Sequence, residues 1–115
     1  MTFNDAIIEH AKWKIQLRSA IQKGVPTIAS ENLLRQEFWP LGQWLQHKEA
    51  YLGHLKDFQD FKRDYEAFHL CVADMLICVE HGNFKKAQEL AQSEMFVLIA
   101  SSTSEAMLKL RKYLI

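Results

Sequence analysis

Residues 49–81, EAYLGHLKDFQDFKRDYEAFHLCVADMLICVEH, decide the fold. The stretch holds no proline, and its one glycine is Gly53. Along it Leu55, Phe58, Phe61, Tyr65, Phe68 or His69, Val72, Leu76 and Val79 return every three or four residues. That period gathers them on one side of an α-helix, and nowhere does the chain alternate with period two for long enough to make a strand. A helix over 49–81 is therefore predicted. It ends at His81-Gly82, a basic residue in the last turn followed by a glycine free to adopt the left-handed cap.

Working outward, Thr2 and Asp5 have capping-box spacing at the head of a second apolar stripe, Phe3, Ile7, His10, Leu17 and Ile21, with Trp13 at its edge. This predicts a helix over 3–23, closed by Gly24-Val25-Pro26. Ser30 is placed to cap a helical piece over 31–38, which must stop before Pro40. A short piece restarts over 40–46, where Gly42 marks a close approach to another backbone or helix. Asn83 starts a further helix whose stripe, Phe84, Ala87, Leu90, Ala91, Met95 and Leu98, runs on through Ser102 and Ala106 towards Leu110 and Leu114. The expected fold is all-α, a single domain over 1–115 built as an antiparallel four-helix bundle with one short, broken helix. A chain of 115 residues can bury a core without disulfides or a structural metal.

Composition narrows the function. Fourteen basic residues balance fourteen acidic ones, so the chain lacks the cationic surplus that phosphate binding needs, and no nucleic-acid partner is expected. No window approaches the run of about twenty apolar residues required for membrane insertion. The first ten residues carry Asn4, Asp5 and Glu9 where a signal peptide would be basic, and the expectation is a cytoplasmic protein. Cys71 and Cys78, seven apart on one helix, have Cα atoms separated by about 10 Å. A disulfide spans at most about 7 Å, so they read as two half-buried thiols in a reducing compartment.

Catalytic signatures are absent: there is no phosphate-binding glycine loop, no nucleophile elbow and no His-Glu-x-x-His zinc motif. Cys71 and Cys78 lie about half a turn around the helix from His69, so no Cys-His pair forms there. Glu9, Asp64 and Glu66 read as solvated faces. Glu66-Ala67-Phe68-His69 has the Glu-x-x-His form used by di-iron bundle enzymes, but the second copy those enzymes need on a partner helix is missing. The expectation is a non-catalytic module, with a helical-bundle metalloenzyme as the alternative that lacks half its motif.

Of the five histidines, His47, His54 and His81 fall at helix ends or loops, whereas His10 and His69 fall on apolar stripes. The first of these stands in His10-x-x-Trp13. Next comes Trp39-Pro40-Leu41-Gly42-Gln43-Trp44, and then Tyr65-Glu66-Ala67-Phe68-His69. Over nearly the whole chain this order and spacing resembles the chemoreceptor zinc-binding domain family, bacterial four-helix sensory domains. That family's pattern runs His-x-x-aromatic, Cys-x-aliphatic-Gly-x-aromatic, His-x-x-x-His. The resemblance implies metal-ligand positions at His10 and His69, and a surrounding pocket of Trp13, Trp39, Gly42, Trp44 and Tyr65. It also places Trp39 where the family has its ligand Cys, and Tyr65 where it has the first His of the pair. Tetrahedral zinc wants four N or S ligands. An indole offers no lone pair, and a phenol with a pKa near 10 holds its proton at neutral pH. The expected site is therefore degenerate, plugged by an indole and a phenol, with the Tyr65 hydroxyl hydrogen-bonded to the imidazole of His69 or His10. No cofactor is expected, zinc being the one the resemblance leaves open.

What the resemblance implies about function is sensing and regulation, since such domains are attached to chemoreceptors or diguanylate cyclases. With no output domain in 115 residues, the chain is expected to act as a homodimer or on a partner signalling protein of that type. The helix over 49–81 is apolar nearly all round between Phe68 and Val79, with Leu70, Cys71, Ile77 and Cys78 off the main stripe. This part of it is expected at a dimer interface, the alternative being that the short broken helix around Trp39 covers the second face within one chain. The alternative is a sensor that takes another metal or a small ligand, haem included, in the pocket between His10 and His69.

Overall fold

The computed structural model describes residues 2–24 and 40–114, and these are helical apart from short turns, with no strand among the described residues. Helix α1 spans Phe3–Lys23, α2 Pro40–Leu52, α3 Lys56–Glu80, α4 Phe84–Ala91 and α5 Glu94–Arg111, followed by a 3-10 turn at Lys112–Leu114. The piece expected over 31–38, its Ser30 cap and Trp39 lie outside the described residues, as do the side chains of Glu9 and Trp13.

Local chemistry sets the ends. Thr2 and Asp5 form the capping box, each side chain accepting from the other's backbone N–H at 3.1 Å. Gly24 closes α1 at φ 70°, and a Cβ there would also come within 3.0 Å of the Phe84 ring. Gly82 takes the same left-handed conformation after α3, and the Asn83 side chain accepts from Lys86 N–H to open α4.

Three boundaries differ from the sequence reading. The helix restarting at Pro40 does not stop at Gln46 but continues to Leu52. The helix expected over 49–81 is two helices meeting at a corner, because Leu55 N–H bonds back only three residues to Leu52 and Leu55 itself is extended. Gly53 makes the corner possible: a Cβ there would stand 2.5 Å from the Glu49 carbonyl oxygen. The last helix is also divided. Ser93 donates its hydroxyl to the Leu90 carbonyl at 2.7 Å and accepts from Phe96 N–H at 3.2 Å, ending α4 and capping α5.

Packing follows from the apolar stripes. Phe3 and Ala6 of α1 share one buried cluster with Leu41, Trp44 and Leu45 of α2, Phe58, Phe61 and Tyr65 of α3, and Ala106 and Leu110 of α5. Leu17 and Ile21, farther along α1, share a second with Phe68, Val72, Met75, Leu76 and Val79 of α3 and with Ala87 of α4. Helices α1 and α3 thus run in the same direction and α5 in the opposite one. Tyr113 and Lys112 complete that pairing by reaching Asp57 at the start of α3, at 3.0 and 3.3 Å. His10, His69 and Thr103, the buried polar side chains among the described residues, belong to neither cluster. No helix of the described residues is long and apolar enough to cross a membrane.

Candidate functional site

Helix α1 carries His10 inward on the stripe that also buries Ala6 and Leu17. Helix α3 carries Tyr65 and His69 four residues apart, one turn above the other on a single face. The three rings meet at the edge of the first apolar cluster, to which Tyr65 itself belongs. Tyr65 lies 4.3 Å from His69 and 5.5 Å from His10 between ring centroids. The two imidazoles are 6.4 Å apart and within 7° of parallel. All three are buried, Tyr65 completely.

Burial in this pocket favours the neutral forms of His10 and Tyr65. Burial, followed by the positive charges that Lys14 and a protonated His69 would present, pushes the His10 pKa down to about 3. Burial pushes the Tyr65 phenol far above its ordinary range, against a smaller opposing pull from the Gly42 backbone N–H. That N–H is directed at the Tyr65 oxygen without reaching hydrogen-bond geometry, and the hydroxyl makes no hydrogen bond to either imidazole. The expected Tyr–His hydrogen bond is thus replaced by ring packing. Side chains four apart on a helix project in the same direction, so ring meets ring while the hydroxyl is carried past the histidine.

The other pocket residues divide. Gly42 is buried in the first turn of α2, beside Tyr65. Trp44 turns into the first apolar cluster, its ring centroid 4.8 Å from that of Phe3. Trp39 and the Trp13 side chain are outside the described residues. His47, His54 and His81 are exposed, as their spacing implied. Cys71 and Cys78 are half-buried free thiols, and burial together with the Asp74 carboxylate holds the Cys71 thiol above its ordinary value, which mutes it as a nucleophile.

Two residues at this site were not singled out by the sequence reading. Phe68 packs its ring 5.6 Å from His10 and 5.6 Å from Phe96, joining the histidines to the second cluster. Lys14, one turn after His10, is half-buried with its amine 5.4 Å from the Phe68 ring centroid. The signal for Lys14 was there to read: positions 10, 14, 17 and 21 share a helix face, so a lysine interrupts an inward stripe.

Chemically, two buried imidazoles, that of His10 neutral, and a protonated phenol can pack and polarise one another. They fall short of a tetrahedral zinc centre, and among the described residues no three His, Cys, Asp or Glu side chains come together as a group able to hold a metal ion. Set against protein-family models, curated proteins and solved structures, the chain matches none of them.

Proposed function

We propose that this chain is a non-catalytic regulatory module, an antiparallel four-helix bundle similar to the chemoreceptor zinc-binding domain, in which an aromatic plug stands where that family holds zinc. One observation carries the reading: His10 and His69 face each other across 6.4 Å with the Tyr65 ring packed against both. The two ligand-type residues of the motif meet in space although they are far apart in sequence, and the residue at a third ligand position contacts them both. On this reading the protein is cytoplasmic and acts by homodimerisation or on a chemoreceptor or diguanylate cyclase-type partner.

The test is elemental analysis of protein purified without added metal or a metal-binding tag. Well under one zinc per chain is expected, and a stoichiometric zinc that survives dialysis against a mild chelator overturns the plugged site. The double change Trp39→Cys and Tyr65→His should then create a four-ligand site. Zinc at a hundred times its dissociation constant would stabilise that variant by about 2.7 kcal/mol. A melting temperature unmoved by zinc would show that these positions do not correspond to the family's ligands.

Dimerisation draws support from the outer faces of α3 and α5. Leu70 is 58% exposed and Ile77 37%, with Cys71 and Cys78 half-buried beside them, while Met95 and Leu98 on α5 are more than 60% exposed. Apolar side chains of that size exposed on two helices favour a covering partner. Light scattering at micromolar concentration should give a mass near twice 13.4 kDa, and Leu70→Glu should halve it. A monomer throughout that range sinks the proposal of a dimer.

A further inference from the structure

Next to the histidine cluster, α1, α3, α4 and α5 enclose a half-open cleft of about 560 Å³. That volume is within the range of about 300–1,000 Å³ typical of small-molecule sites. Its floor is apolar, made by Leu17, Ile21, Phe68, Met75 and Phe96. Its mouth is polar in one sense only: Lys14 and Arg18 bring positive charge, Gln22, Gln88 and Gln92 bring carboxamides, and among the described residues none that lines it is acidic.

Lys14 is the informative group. An ammonium that gives up half its hydration normally gains a carboxylate in exchange. Here it gains a ring face, 5.4 Å from the Phe68 centroid, and neither Lys14 nor Arg18 is in an ion pair with a carboxylate among the described residues. Burial alone accounts for the lowered pKa of Lys14, with no acidic neighbour opposing it. The charge stays on the cleft side of α1, where an anion entering the cleft would offset the lost hydration. An apolar floor beneath a cationic, amide-lined mouth is complementary to a molecule with one acidic head and one apolar body.

We propose that the cleft binds an amphipathic carboxylate, its apolar body lying on Phe68, Met75 and Phe96 and its head on Lys14 and Arg18. The proposal stands whether or not the histidine cluster descends from a zinc site, and whether or not the chain dimerises. Decanoate and the uncharged 1-decanol, both below their aggregation limits, serve as probes in calorimetric titrations of the full chain. Decanoate should saturate at one per chain and bind about tenfold more tightly than decanol, the worth of a charge-assisted contact. Lys14→Gln should remove that tenfold preference and leave decanol binding unchanged, whereas Lys14→Arg should retain it. Ala100→Phe, which places a ring in the cleft, should abolish binding of both probes, with thermal melting checking that each variant is folded. Equal affinity for the two probes, or decanoate binding indifferent to Lys14→Gln, overturns the proposal. So does the absence of saturable binding by the intact chain, since the cleft is then covered by another part of the chain or by a second copy.

Discussion

Tyr65→Ala is expected to lower the unfolding free energy by about 3–5 kcal/mol, the range found when a buried aromatic side chain is truncated. Tyr65 has no exposed surface and meets Phe61 at 5.9 Å, His10 at 5.5 Å and His69 at 4.3 Å between ring centroids. The neighbouring side chains sit on continuous helices and cannot collapse fully into the space, so a cavity would remain between two polar rings. A domain of this size is stable by about 5–15 kcal/mol in all, so the variant would be close to unfolding at physiological temperature. Tyr65→Phe separates ring from hydroxyl. Because the hydroxyl lacks good hydrogen-bond geometry, its removal should change stability by less than about 1 kcal/mol. Urea denaturation at neutral pH checks both. If Phe proved as damaging as Ala, the hydroxyl would have to be making a strong bond that this packing does not contain.

Acidification should be the second large effect. Above pH 6.5 the His10 imidazole is neutral whether the chain is folded or unfolded, so it gives stability no pH dependence there. Below pH 6.5 the unfolded chain takes up a proton that the folded chain refuses until its own pKa of about 3. Stability therefore falls with falling pH across that window, by about 1.4 kcal/mol per unit and about 4–5 kcal/mol in total. The carboxyls of Asp5 and Asp57 are also held below their ordinary value of 3.8, by Thr2 hydrogen bonds and by the Tyr113 hydroxyl first among the partners of Asp57. Their effect has the same sign, but it begins only as pH falls towards their unfolded value. Between about pH 4.5 and 6.5 the slope thus belongs to buried imidazole. His10→Leu should flatten it, as measured by urea midpoints at the two ends of that interval; an equal slope in wild type and variant would place the titrating group elsewhere.

The helical class, the capping box at Thr2, the glycine cap at Gly24 and the inward positions of His10, Tyr65 and His69 could all be read from residue spacing, because each depends on neighbours within one or two turns. The corner at Gly53 and the break at Ser93 could not. Leu52, Leu55 and Phe58 keep a three-residue step straight across the first, and Leu90, Ala91, Met95 and Leu98 keep one helical face across the second, so periodicity gives no sign of interruption, although beyond the break it is Phe96 and Ile99 that pack inward while Met95 and Leu98 stay exposed. The signals that outweighed it were local: a glycine whose missing Cβ lets the chain turn on its own carbonyl, and a serine followed by an acidic residue at a helix start. At the site, spacing placed the three rings on facing helix sides but could not say that ring packing would displace the hydrogen bond. Spacing did mark Lys14 as a break in the inward stripe of α1, but not that its amine would rest on the Phe68 ring of another helix.

The position of His10, His69 and Thr103 between the two apolar clusters has a consequence for how the helices are aligned lengthwise. Thr103 donates to the Ile99 and Asp64 carbonyls at 2.8 and 3.3 Å, next to Tyr65 on α3, so α5 also brings a buried polar group to the stretch of α3 that meets His10. Apolar side chains alone would tolerate sliding by one helical turn, because a leucine packs nearly as well one notch along. The histidine contacts are less forgiving: a slip of α1 by one turn would carry His10 away from the Tyr65, Phe68 and His69 rings it packs against. A single buried polar side chain fixes register in coiled helices. Here His10 against α3, and Thr103 on the Asp64 carbonyl, mark α1 and α5 against the same stretch of α3.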